Sequence, residues 1–286
     1  MRAAVQDGFP LEPGRDYGLV LEGGGARGAY EIGVWMALRQ AGISIKAIAG
    51  ASVGALNGAL ICMDDVERAR ALWENISYSQ IMDVKDEIME KLYPFRLRNL
   101  PLILKEGFRI LRSRGFDVEP LQKLIQEQID EEKIRSCGCP LYMTACSVTD
   151  RKPVVMEASR IPEGELAQML MASSYLLGFK QKRLGGKYYL DGAYCNNVPA
   201  DVLIQKGCED IIVIRIYGFG VDTEKRLQVP ENVRLYHICP EEDLGGILEF
   251  NSQRARRNLY LGYRDGCRAA GIGKMHFTFD TDSPRD

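Results

Sequence analysis

Two glycine-rich turns, each set between an apolar strand-like run and an apolar helix-like run, constrain this chain more than any other feature. The first, Gly23-Gly24-Gly25-Ala26-Arg27-Gly28, follows the run YGLVLE at 17–22. The second, Gly50-Ala51-Ser52-Val53-Gly54, follows an apolar run at 45–49. Short apolar runs stopped by glycine read as buried strands. Residues 29–41 carry Ile32, Trp35, Met36 and Leu38 near helical spacing and end at Gly42, a residue suited to a helix C-cap. Residues 55–63 form a second, apolar helix. Strand, loop, helix, strand, turn, helix is the opening of an α/β fold with a mainly parallel sheet.

The rest of the chain extends this pattern. The more polar stretch 64–134 reads as helices on or above the sheet. Strands are expected at 141–148, at 152–157 as an antiparallel neighbour, at 187–190 ending on Asp191, at 210–217 and at 232–238. Helices are expected at 164–173, 200–207 and, long and basic, at 250–270. With 286 residues and no repeat, low-complexity tract or linker, one domain is the simplest organisation. A catalytic core at 17–205 would be completed by the strands and helix of 206–286, with 1–16 as a tail.

Composition narrows the partners. A formal net charge of −2 gives no global pull toward nucleic acid. The first residues lack an apolar signal core, and no run approaches the roughly 18 apolar residues of a membrane span. The expected location is the cytoplasm, peripheral at the membrane. Eight scattered cysteines, several in apolar segments such as Cys62 and Cys146, read as buried free thiols in a reducing compartment. Cys137 and Cys139 are the only close pair. Their spacing does not suit zinc, and only two histidines exist, so no metal site and no cofactor are expected. Residues 91–114 interleave seven Lys or Arg with apolar residues against the single acid Glu106. This reads equally as a cap docking on anionic lipid or as an amphipathic helix with a solvated basic face.

The loop 23–28 formally matches a dinucleotide fingerprint at Gly23, Gly25 and Gly28. That reading requires an acid at the end of the second strand to hold the ribose. The strand at 45–49 has none and runs directly into the second glycine turn. The same exposed N–H groups at a helix start would stabilise a tetrahedral oxyanion equally well. Gly50 to Gly54 fits G-x-S-x-G in the strand-to-helix context that motif requires, which makes Ser52 the candidate nucleophile. The bland alternative is a helix N-cap serine. For the base, Ser52, Asp191 and His237 would reproduce an α/β-hydrolase triad order. However, His237 lies inside a strand-like run, and His276 lies in the tail. Asp191-Gly192-Ala193 is the other candidate, although Asp-Gly is also a common turn dipeptide.

Taken together, the loop 23–28, the elbow 50–54 and Asp191-Gly192-Ala193 resemble the patatin-like phospholipases, whose pattern is G-G-G-x-R-G, G-x-S-x-G and D-G-G or D-G-A. Asn196-Asn197-Val198-Pro199 looks like the usual continuation of the third motif. The resemblance covers about 17–205 and implies a three-layer α-β-α sandwich. It implies a lipid acyl hydrolase of the phospholipase A or lysophospholipase type that works on membrane or micellar lipid without metal. Carried over residue by residue, Ser52 is the nucleophile and Asp191 the base. Gly24, Gly25 and Ala26 supply the oxyanion hole, and Arg27 either orients that loop or approaches a phosphate head group. The segment Ala172-Ser173-Ser174-Tyr175-Leu176-Leu177-Gly178 lacks the proline usual in this family, a departure at the acyl pocket.

Overall fold

The computed structural model describes residues 10–92 and 115–273. It opens with β1 (Asp16–Leu21), α1 (Ala29–Gln40), β2 (Ser44–Ala51) and α2 (Val53–Cys62), the two βα units expected from the glycine turns. There follow α3 (Val66–Glu74), α4 (Asp86–Leu92), α5 (Glu119–Gln128), α6 (Glu131–Ser136), β3 (Leu141–Ser147) and β4 (Lys152–Glu157). The chain continues through α7 (Leu166–Ser173), β5 (Tyr189–Asp191), α8 (Ala200–Gln205), β6 (Asp210–Ile214), β7 (Arg234–Ile238) and α9 (Ser252–Ala269). Apart from the end of α4, the basic-apolar stretch 91–114 lies outside the described residues. No described helix is long and apolar enough to cross a membrane.

The strands form one sheet in the order β4-β3-β2-β1-β6-β7, with β5 also paired to β3. The run β3-β2-β1-β6-β7 is parallel, and β4 and β5 are antiparallel to β3. Alternation along the strands divides the core in two. Leu19, Leu21, Ile48, Met143, Ile212 and Ile214 face a thick layer that includes α1, α2, α7 and α9. Val20, Ala49, Ile211 and Val213 face the thin layer under α8, beside Val202 and Leu203. The molecule is thus an α-β-α sandwich with one heavy and one light helical layer.

The last helix belongs to the heavy layer. It lies on α1 so closely that a Cβ on Gly33 would meet the Leu259 carbonyl oxygen at 2.1 Å, and one on Gly262 would meet that of Tyr30 at 2.0 Å. Across the seam, the buried Tyr30 hydroxyl donates to Asp265 (3.0 Å). Residues more than 200 positions apart therefore share one core.

Two expectations need correction. Strand β6 stops at Ile214 rather than Tyr217, because the N–H groups of Ile216, Tyr217 and Gly218 turn onto the carboxylate of Glu22 (2.8, 3.0 and 3.2 Å) instead of a neighbouring strand. Cys146 is not a free buried thiol. It is half-buried and forms a disulfide with Cys195, 49 residues on, with 6.0 Å between Cα atoms. The register explains the pairing: Cys146 sits opposite Leu190 on β5, and the chain turns back to Cys195 just after Asp191. Cys62, Cys208 and Cys267 are buried free thiols, as read from the sequence.

Candidate active site

The parallel strands β1, β2 and β6 all end on one side of the sheet, and β1 lies between β2, reached through α1 in the heavy layer, and β6, entered from α8 in the light layer. Such a switch point is where open α/β sheets bind ligands. The glycine loop leaves β1 there, and Ser52 leaves β2 there. Ser52 adopts φ 53° and ψ −125°, a region that non-glycine residues enter only when their surroundings hold them. Two features hold it. Its N–H donates to the buried Ser173 hydroxyl (3.0 Å), which in turn donates to the Thr144 carbonyl (2.7 Å). The flanking glycines let strand and helix close on the turn: a Cβ on Gly50 would lie 2.5 Å from the Gly54 backbone, and one on Gly54 would lie 2.4 Å from the Leu21 carbonyl oxygen. The result is a sharp elbow that presents the Ser52 side chain.

Asp191 reaches that side chain through strand order. β3 gives one edge to β4 along 142–147. Its other edge serves β2 along 141–144 and then β5 along 145–147. β5 therefore takes up the edge where β2 ends and runs head-on toward it, with Ala51 opposite Thr144 and Asp191 opposite the next residue, Ala145. Ser52 Oγ donates to Asp191 Oδ2 at 2.6 Å. Asp191 Oδ1 accepts the Ala193 N–H (2.8 Å), and the Asp191 N–H donates to the Tyr175 carbonyl (2.9 Å). The carboxyl is fully buried. Burial pushes its pKa up to about 7, opposed by the hydrogen bonds from Ser52 and the Ala193 N–H. Gly192 is pressed against the Thr144 backbone, which fixes the turn beneath the carboxylate.

His237 is elsewhere. It lies on the edge strand β7, bonded to Glu224. Two strands separate β7 from β2, a span of roughly 14 Å at ordinary strand spacing. No residue stands between Ser52 Oγ and Asp191.

The glycine loop forms a tight turn, Gly25–Gly28, beside the elbow. Gly24 and Gly25 line the same cavity as Ser52. Ala26, expected as a third oxyanion donor, instead gives its N–H to the Ile247 carbonyl (2.9 Å). Arg27 takes the loop-orienting role of the two expected for it. Its guanidinium donates to the carbonyls of Gly245, Ile216 and Tyr217 and straps the loop to two later segments. Gly23 is held on its other side by Asn197, which accepts its N–H (3.3 Å) and donates to its carbonyl (3.0 Å).

Several supporting residues were not singled out from the sequence. Glu22 is buried at the end of β1 and pairs with Arg215 (3.0 Å), which also binds Asp222 and Glu224. An acid closing an apolar strand was a usable signal. Asn57, a polar residue in the otherwise apolar α2, was another. Its amide donates to the Gly28 carbonyl (2.9 Å) and to Glu31 (2.8 Å), and its oxygen accepts from the Trp73 indole (3.0 Å). It thereby ties the glycine loop to the helix that begins at Ser52.

Behind Ser52 and Asp191 lies a deep apolar cavity walled by such residues as Leu56, Leu60, Leu72, Leu121 and Ile125. Leu176, from the segment that lacks the family proline, and Phe179, the residue just after it, complete one side. Among the described residues no cluster of His, Cys, Asp and Glu could hold a metal ion.

Comparison with known proteins converges on this arrangement. The patatin-like phospholipase family matches residues 19–204. Neuropathy target esterase sws of Drosophila melanogaster is 30% identical over 215 residues, covering 74% of this chain and 13% of that protein. Patatin-like phospholipase domain-containing protein 6 of Homo sapiens is 26% identical over 208 residues, covering 71% and 13%. The chain thus spans a small part of these relatives' length. Among solved structures, the fold is similar to VipD from Legionella pneumophila, with a TM-score of 0.56 and 15% identity over 89% of this chain and 66% of that one. The three motifs, the sandwich and the match over most of the core make this chain a member of the patatin-like phospholipases, a family of lipid acyl hydrolases.

Proposed function

We propose that the chain hydrolyses lipid carboxylic esters through a Ser52–Asp191 dyad and an acyl-enzyme. The observation that carries this reading is the 2.6 Å hydrogen bond from Ser52 Oγ to a buried carboxylate at the mouth of an apolar cavity. Ionised Asp191 takes the Ser52 proton as Oγ attacks the ester carbonyl. The oxyanion is held by the N–H groups of Gly24 and Gly25, since that of Ala26 is engaged by Ile247. Such donors are worth about 10²–10³ in rate each. Collapse returns the proton to the departing alcohol or lysolipid and leaves the acyl group on Ser52. Water, deprotonated by Asp191, then releases the fatty acid. A carboxylate of ordinary pKa is a weak base, whereas one near 7 is matched to neutral pH. The aliphatic walls favour an acyl chain over a polar substrate.

Labelling with a fluorophosphonate, mapped by mass spectrometry, tests the nucleophile. The label is expected on Ser52 alone, and Ser52→Ala should fold normally and lose turnover of short p-nitrophenyl esters. Label on another serine, or an active Ser52→Ala, would overturn the assignment.

A further inference from the structure

The opening of the Ser52 cavity is ringed by large apolar side chains that the fold leaves in water. Leu177 is 67% exposed, Tyr217 56%, Phe219 52% and Leu248 39%. Phe219 and Leu248 also line the cavity, and with Tyr217 they flank a shallow hollow over Arg27. Leu177 joins this group through Tyr194. The Tyr194 hydroxyl accepts the Leu177 N–H (3.4 Å), and its ring packs edge-on against Phe219 with 5.3 Å between centroids. Single exposed apolar residues are ordinary, whereas several converging on one opening mark a surface that meets an apolar partner.

The ring is braced. Arg27 grips the carbonyls of Ile216 and Tyr217 on one side and of Gly245 on the other. Glu22 holds the N–H groups of Ile216, Tyr217 and Gly218. Tyr217 itself sits at φ 50°, a left-handed conformation unusual for a tyrosine, and its hydroxyl pairs with Cys239 while the residue stays more than half exposed. These bonds fix the backbone from which Tyr217, Phe219 and Leu248 project.

Continuity with the cavity identifies the occupant. If the cavity takes an acyl chain, as the reading above holds, the rest of that lipid and its neighbours lie immediately outside, against the ring. We propose that Leu177, Tyr217, Phe219 and Leu248 form a docking surface that seats the cavity mouth on a neutral, zwitterionic lipid surface. Contact of this kind rests on apolar burial, so salt does not screen it. This distinguishes it from attraction of a basic segment to anionic lipid.

The test uses the full chain with phosphatidylcholine vesicles and a double variant, Leu177→Ser with Tyr217→Asn. Neither residue lines the cavity, and asparagine tolerates the left-handed backbone at 217. Removing two largely exposed apolar side chains should weaken vesicle partition roughly 100-fold, at about tenfold for each side chain inserted. Turnover of vesicle lipid should fall with it, while turnover of a short soluble ester stays within about twofold. Wild-type binding should persist in high salt. Leu177→Trp, which enlarges the same exposed position, should strengthen partition and tests the surface even if the double variant folds poorly. Equal partition of wild type and variants, or wild-type binding that requires anionic lipid and vanishes with salt, would overturn the proposal. Sedimentation needs no turnover, so a wild type that binds vesicles but hydrolyses no ester would support the surface while overturning the hydrolase reading.

Discussion

Asp191→Asn should do two opposite things: cut activity by orders of magnitude and, above neutral pH, stabilise the fold. The buried carboxyl has its pKa raised from an ordinary 3.8 to about 7, with burial as the leading cause. A raised carboxyl pKa means that folding favours the protonated form. Well below the ordinary value of 3.8 both folded and unfolded chains carry a neutral group, and it has no effect on stability. As pH rises, the unfolded chain ionises first. The folded state loses relative stability until its own carboxyl ionises near pH 7, and above that the penalty is constant. Such a rise corresponds to about 4 kcal/mol in full, of which about 2–3 kcal/mol accrues between pH 5 and 8. Asparagine carries no charge and escapes this penalty. It can still accept the Ala193 N–H, and any weakened bond to Ser52 costs about 1 kcal/mol at every pH. The diagnostic is therefore the slope. In urea unfolding, Asp191→Asn should gain on wild type by about 2–3 kcal/mol between pH 5 and 8. Over the same range wild-type kcat/KM should rise through about pH 7, and the variant should sit about 10²–10⁴-fold lower. A stability difference that stays flat with pH would show that this carboxyl does not titrate near neutrality, and the argument for it as a tuned base would fall.

His237→Ala should retain most esterase activity and lose at most about 1 kcal/mol of stability, because His237 is spent on a partly exposed pairing with Glu224. A well-folded but inactive His237→Ala would require a histidine triad. Asn57→Leu removes the amide's bonds to the Gly28 carbonyl, Glu31 and the Trp73 indole. It should lower stability by roughly 2–4 kcal/mol, since weakening buried polar pairs costs about 1–3 each and some relax, and it should reduce kcat on a short soluble ester more than it changes KM. Unchanged kcat would remove Asn57 from the positioning of the glycine loop. Gly50→Ala drives a methyl into the Gly54 backbone at 2.5 Å. By thermal melt it should lose about 2 kcal/mol or more, with fluorophosphonate labelling of Ser52 slowed as the elbow opens.

The parts of this molecule that could be read from sequence are those where sterics demand a residue type within a few positions. Gly50 and Gly54 are such a case. Their Cβ positions are occupied by backbone, so the pentapeptide announces an elbow wherever it falls between strand and helix. The unbroken apolar run Leu19-Val20-Leu21 announces a strand buried on both faces. What sequence could not supply was the choice among distant partners of equal chemical fitness. The Ala26 N–H suited an oxyanion as well as it suits the Ile247 carbonyl, and nothing local decides between them. Cys146 is an apolar-strand cysteine until β5 brings Cys195 alongside. Glu22 ends its strand unremarkably until the carboxylate is found holding three N–H groups of a loop almost 200 residues later.

Asp191 shows how the two kinds of information meet. β5 is three residues long, too short for any periodicity, and 139 positions separate Asp191 from Ser52. Its candidacy as the base could be read only from the company of the other two motifs. Its geometry follows from an edge. β4 occupies one side of β3 and β2 leaves the other side at Thr144, so the only ladder hydrogen bonds still open to β5 begin at Ala145. Pairing there delivers Asp191 to the end of β2, where the elbow has already turned Ser52 outward. The same placement buries the carboxylate, and burial raises its pKa. One strand-pairing choice therefore sets both the distance between Ser52 and Asp191 and the raised pKa of the carboxyl. A change that shifted β5 by one residue on β3 would reverse the facing of its side chains, removing Asp191 from Ser52 and from its buried site together.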